Sequence, residues 1–188
     1  MSMKKTLIIV IAIVVVLGLM IGGAYNGLVR QNEAINGQWA QVENQYQRRL
    51  DLIPNLVASV KGVLTQEQEI FTALADARTR YAGAVTTDAK AAAATQVESA
   101  LSRLLVIVEN YPNLRSSENV QSLMVQLEGT ENRISVERKV YNDTVLSYNS
   151  SIKIFPRSLI ASMFGFGEKT YFAAAEGAAT APVVDLQN

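Results

Sequence analysis

Glu67 and Glu131 lie on rows of otherwise apolar residues at helical spacing. Two carboxylates in such surroundings, with acidities tuned apart, are what general acid–base catalysis uses. Arg49, Arg78, Glu109 and Arg138 sit on or beside the same rows. The stretch ENRISVERKVYNDTVLSYN, residues 131–149, shows the pattern: Ile134, Tyr141 and Tyr148 recur at every seventh position, and Leu127 and Val120 extend the row backward. The neighbouring row, Met124, Glu131, Arg138, Val145 and Ile152, carries two charges of opposite sign.

Such a set could prepare a carboxylic acid for proton transfer, or it could tie helices together. The chain contains no His and no Cys. Ser–His triads, His-ligated metals, thiol catalysis and zinc–thiolate sites are thereby removed. No GxGxxG or P-loop pattern occurs. Ion-pair networks perturb acidities as active sites do, and the planar five-donor fork of Arg suits bridging between helices. Arg49, Glu67, Arg78, Glu109, Glu131 and Arg138 are therefore read as a structural ion-pair network, with no catalytic residue, cofactor or metal ligand. Removing one member would cost ~3–5 kcal/mol if its partner stayed buried. Arg138, one heptad after Glu131, is expected to pair with Glu67 or Glu109. Trp39, Tyr46, Tyr141 and Tyr148 occupy seam positions and are expected in the core.

The elements that hold these residues begin with an apolar run. Leu7 to Ala24, LIIVIAIVVVLGLMIGGA, holds no ionisable group. At ~1.5 Å per residue it spans about 27 Å, close to the hydrocarbon thickness of a bilayer. Gly22-Gly23-Ala24 offers a signal-cleavage site, but the run is longer than a signal core and its helical pattern continues into Tyr25 and Leu28, which favours a retained anchor. Lys4 and Lys5 precede it and only Arg30 follows closely, so the N-terminus is expected in the cytoplasm and the domain outside. Gly18, Gly22, Gly23 and Gly27 form two consecutive GxxxG spacings, a close-packing face for transmembrane helices. Acidic and basic residues balance at 17 each, and no clustered basic surface invites nucleic acid.

Beyond the anchor the periodicity is helical. One row runs Leu28, Ile35, Val42; another runs Asn32, Trp39, Tyr46, Ile53 and continues in register as Val60, Glu67, Leu74, Tyr81. Pro54 either bends one long helix or follows a new start capped by Asp51, and the break is preferred. Thr87 or Asp88 is expected to cap an Ala-rich helix in which Ala91 to Ala94 are surface filler. Tyr111-Pro112-Asn113 ends it, Ser116 or Ser117 opens the last long helix, and Phe155-Pro156 stops that one. Ser158 to Phe166, SLIASMFGF, is short and apolar. Leu159, Ile160, Met163, Phe164 and Phe166 are expected to meet a partner or a second copy, the competing arrangement being a fold back onto their own bundle. Pro182-Val183-Val184 is extended by composition.

YNGLVRQNEAINGQW, QRRLDLIPNLVASVKGV, LLVIVENYPNL, GTENRISVERKVYNDTVLSYN and IFPRSLIASMFGF occur in this order, and together they resemble the LemA family of bacterial membrane proteins from Tyr25 to Val184. The positions matching its pattern are Arg49, Asp51, Pro54 and Asn55, then Glu109, Tyr111 and Pro112, then Glu131, Asn132, Arg133, Arg138, Tyr141, Asn142, Tyr148 and Asn149. Where family members often carry His-Glu, this chain has Gln66-Glu67, which weakens any metal site built on that His. The resemblance implies an all-α fold: a single N-terminal transmembrane helix followed by an up-and-down, coiled-coil-like four-helix bundle. It implies no established enzymatic activity.

The expected organisation is a cytoplasmic N-terminus at 1–6, a transmembrane helix at 7–24, a helical bundle at 25–156, and an apolar segment with an extended tail at 157–188. The expected function is that of a non-enzymatic interaction or assembly protein of the bacterial inner membrane, facing the periplasmic or extracellular side. Its expected partners are the lipid bilayer, a second copy of itself and other membrane proteins. The alternative is a cytoplasmic-facing adaptor for a membrane protease or signalling enzyme.

Overall fold

The computed structural model describes residues 3–64 and 66–172. Six helices account for the regular structure there: α1 Met3–Val60, α2 Gln68–Gly83, α3 Thr87–Glu109, α4 Pro112–Arg115, α5 Glu118–Lys153 and α6 Arg157–Phe164. Among the described residues there is no strand. The expectation for Pro182-Val183-Val184 falls outside the described residues. The chain divides into two compact units, one made of Met1–Ala40 with Lys139–Tyr171, the other centred on Gln41–Arg138. Helices α1 and α5 each contribute to both.

In the first unit, the described side chains of α1 are exposed from Met3 to Gly23, and burial begins at Leu28. Trp39 meets Tyr141 of α5 edge-on, with ring centroids 5.8 Å apart. Tyr25 meets Phe164 of α6 at 4.9 Å and Phe166 at 5.7 Å. The chain beyond Tyr141 thus returns along α1 toward its apolar end. Gly165, at a left-handed φ of 75°, turns the chain after α6, and the Phe166 N–H donates back to the Ala161 carbonyl at 2.9 Å. The segment that follows is clamped by α5. The Asn149 side chain pairs with both the N–H and the C=O of Lys169, each at 2.9 Å, and the Tyr148 hydroxyl donates to the Gly167 carbonyl at 3.1 Å. The Tyr-Asn pair at 148–149 therefore satisfies the backbone of a segment that has no ladder of its own.

In the second unit the sequence reading needs four corrections. First, α1 continues through Pro54 to Val60 without the break preferred at Asp51. Pro54 lies on the exposed face, where the carbonyl it leaves unbonded can meet water, while Ile53, Leu56 and Val60 keep the buried face intact. Second, the break comes later, after Val60, with Val63 and Leu64 folding back onto the Val60 carbonyl and Leu64 buried. Glu67 is consequently not on a helical seam; it is the residue before α2, without a side-chain capping bond. Third, the cap of α3 is Thr86, whose hydroxyl accepts from the Ala89 N–H at 3.2 Å. Fourth, Ala93 and Ala94 are buried rather than surface filler. After α3, Pro112 opens the single turn of α4 from its first position, where its missing N–H costs nothing. Helix α3 is also long and apolar enough to cross a membrane, but it carries seven buried residues and packs against α2.

Candidate functional site

The second unit brings most of its buried charge to one place. Leu28, Ile35, Val42, Arg49 and Leu56 form one heptad row on α1, and all five are buried. Arg49 therefore occupies a core position, with only 2 % of its side chain exposed. A cation there needs partners. It finds Glu98 of α3 at 3.3 Å and Glu131 of α5. Glu98 also accepts from Arg138 of α5 at 2.6 Å. Arg138 in turn donates to the Tyr46 hydroxyl from Nε at 2.8 Å and also from a terminal nitrogen. Its guanidinium lies 5.4 Å from the ring centroids of both Tyr46 and Phe172. The result is a chain of charge, Glu131–Arg49–Glu98–Arg138–Tyr46, that ties α1, α3 and α5 together. A separate pair, Lys90 with Glu43, joins α3 to α1 nearby.

Arg138 therefore pairs with Glu98, not with Glu67 or Glu109 as expected. Glu67 precedes α2, and Glu109 is exposed at the end of α3, so neither reaches it. Arg78 is exposed on α2. Among the described residues Glu67, Arg78 and Glu109 form no salt bridge. Glu98 is the member the sequence reading missed. Its signal was the row Ala91, Glu98, Leu105, seven residues apart and half-buried at every step, flanking the seam of Ala94, Val97, Leu101, Leu104 and Val108.

Beside this chain of charge lies a groove of about 640 Å³ between α3, α4, α5 and Arg49 of α1. Leu101, Leu105, Met124 and Leu127 supply its apolar lining, and Glu98, Glu109, Glu128, Glu131, Arg49 and Arg115 its charge. Glu131 borders the groove and Glu67 does not, so the two carboxylates that opened the acid–base reading do not share it. Among the described residues no group of three acidic side chains is placed to hold a metal ion.

The electrostatics follow from burial. Glu98, with 22 % of its side chain exposed, has its carboxyl pushed up by burial; Arg138 pulls it down, Glu131 pushes it up and Arg49 pulls it down, with a net rise. Burial pushes Tyr46 up to about 12, against Arg138. Burial lowers Arg138, yet Tyr46 and Glu98 outweigh it and its cation is strengthened. The two partners thus differ: at Glu98 burial outweighs the two cations, whereas at Arg138 the anionic groups, Glu131 among them, outweigh burial. Because the folded-state pKa of Glu98 lies above its ordinary 4.5, the folded protein holds that proton more tightly than the unfolded chain does. The stability from this group is fully present below the ordinary value and is lost as pH rises through the folded value. Wild type should therefore gain stability relative to Glu98→Gln as pH falls from about 7 toward that range. Denaturant unfolding of both proteins across pH measures this, and a difference that is flat or of opposite slope would show an unperturbed or depressed carboxyl.

Comparison with known proteins supplies the setting. The LemA family model matches residues 38–186. Magnetosome proteins MamQ 1 and MamQ 2 of Paramagnetospirillum magneticum are each 27% identical over 174 residues, covering 79% of this chain and 64% of the relative. Magnetosome protein MamQ of Magnetospirillum gryphiswaldense is 26% identical over the same length, with the same shares. The chain thus spans 64% of the length of the curated relatives it matches.

Proposed function

The chain belongs to the LemA family, and from that premise we propose that it is a membrane-anchored, non-enzymatic assembly protein of the bacterial envelope. The observation that carries this reading is the continuity of α1. One 58-residue helix begins with exposed apolar side chains and ends among buried ones, with no linker between them. The long segments of α1, α2, α3 and α5 form an up-and-down four-helix, coiled-coil-like bundle occupying 25–156, with residues 7–24 crossing the inner membrane and 1–6 in the cytoplasm. The buried heptad rows of α1 and α5 support that arrangement. The separation of Glu67 from the groove that Glu131 borders supports a role without acid–base chemistry. The relatives carry the name of a cellular body and not of a reaction, which agrees.

Self-association runs through the anchor. A methyl group added at Gly18, Gly22, Gly23 or Gly27 would meet nothing within 4 Å in the single chain, so this face has room for a second helix. Gly18→Ile with Gly22→Ile should lower the mass of the detergent-solubilised protein toward the monomer. An unchanged oligomer, or a wild type that is strictly monomeric, would remove the anchor face from the account. Orientation is tested by fusing to the C-terminus a reporter enzyme active only outside the cytoplasm. Activity supports the outward-facing module; an inactive fusion reverses the topology and favours the cytoplasmic adaptor.

A further inference from the structure

Helix α6 leaves a surface unused by its own packing. Ile160 and Ala161 are buried in the first unit, and the rings of Phe164 and Phe166 contact Tyr25. Leu159 and Met163, one turn apart, stay 59% and 75% exposed, and Phe155 in the turn before them is 75% exposed. Ile154 and the outer part of Phe164 extend the same apolar surface. Five large apolar groups on an eight-residue helix and its entry turn exceed what scattered surface residues explain. The covering for this surface is indicated by its position. Tyr25 is the first residue after the apolar run of α1, and it is the residue on which α6 rests. Through Phe164, α6 therefore sits against the residue at which the exposed apolar length of α1 ends. Tyr25, Phe164 and Phe166 cluster at that level, where aromatic rings gather at a bilayer boundary.

We infer that α6 and the turn before it are a membrane-contact element that inserts Phe155, Leu159 and Met163 into the phospholipid interface beside the anchor. The inference rests on the reading of residues 7–24 as membrane-spanning. Charge agrees with this occupant. Lys153 and Arg157 are exposed at the start of the element and Lys169 follows it, against a single acid, Glu168, which Lys153 engages at 2.9 Å. Cations flanking an apolar surface suit anionic headgroups. The element is held ready: α5 clamps the chain after it through Tyr148 and Asn149, and Arg157 donates to the Ser151 hydroxyl at 2.9 Å. The first unit is thereby fixed to the membrane at two points, the anchor and α6.

The chain has no Cys, so single cysteines report cleanly. Full-length protein is reconstituted into vesicles of phosphatidylethanolamine and phosphatidylglycerol, with an environment-sensitive fluorophore on Leu159→Cys, Met163→Cys, Val15→Cys or Lys139→Cys. Lys139 is the aqueous control. It lies near Tyr141, which meets Trp39 about 21 Å along α1 from Tyr25. Labels at 159 and 163 should shift to shorter emission wavelength and be quenched by lipids brominated near the headgroup. The label at 15 should be quenched by lipids brominated deep in the acyl chain, and that at 139 by neither. A quenched label at 15 with unquenched labels at 159 and 163 overturns the inference and leaves the anchor standing. If those two labels shift in wavelength without quenching, a second copy or another protein covers α6 and the lipid assignment is wrong. An unquenched label at 15 overturns the anchor and this inference with it.

Discussion

Glu98→Leu should lower the unfolding free energy of the full-length protein by about 3 kcal/mol, more than any other single change in the chain of charge. The reason is what remains. Among the described residues, Glu98 forms salt bridges with both Arg49 and Arg138. Without it, Arg49 stays 2 % exposed at a core position with Glu131 alone, and Glu131 reaches into solvent, where an ion pair contributes little. Arg49→Met should cost less. It removes the most deeply buried charge and fits an apolar row, and Glu98 keeps Arg138. Glu131→Gln should cost least, under about 1 kcal/mol, since its carboxylate is largely hydrated already. Glu98→Gln should be milder than Glu98→Leu because an acceptor is retained. Denaturant midpoints of the four variants in one detergent test the ranking. If Glu131→Gln proved as harmful as Glu98→Leu, the burial order on which the account depends would be wrong.

The rows that place Arg49 and Arg138 are legible in the spacing of residues, because a core position on a helix repeats every seven residues whatever occupies it. That is why Leu28, Ile35, Val42, Arg49 and Leu56 form a single buried row on α1, and Val120, Leu127, Ile134, Tyr141 and Tyr148 another on α5. The partner of a charge on such a row is not legible, since it depends on which helix lies opposite and at what height. Glu98 was hidden for that reason, and because alanines mask a packed face: Ala93 and Ala94 are small enough to pass for filler. The loop before α2 was hidden by its length. The seven residues from Lys61 to Glu67 leave the heptad phase of Val60, Leu74 and Tyr81 intact, so the pattern ran through a break in the helix. The fate of SLIASMFGF was divided in the same way. Apolar area indicated burial somewhere but not which groups are covered: Ile160 is buried on its own chain, while Leu159 and Met163 remain outside.

Val15→Arg should weaken membrane association of the full-length chain, and Val10→Arg with Val15→Arg should abolish it. The magnitudes decide between the two. Residues 7–24 contain twelve Leu, Ile and Val residues, which together favour insertion by about 4–7 kcal/mol on a translocon scale. One Arg near the centre of the span opposes this with ~2.5–3.5 kcal/mol and removes a favourable Val besides. A single substitution therefore leaves a reduced but positive drive, and two substitutions exceed it. The position matters as much as the number. An Arg at Leu7 or Ile21 lies within reach of the headgroups and should cost much less, since a long side chain can extend to water from there. All these side chains are exposed on α1, so no change in packing of the helical units confuses the comparison. The measurement is the fraction of protein that stays with the membrane pellet after alkaline extraction, with circular dichroism of the extracted protein as the control for folding. A double variant that remains membrane-bound at wild-type level would show that this run is not what holds the protein to the bilayer.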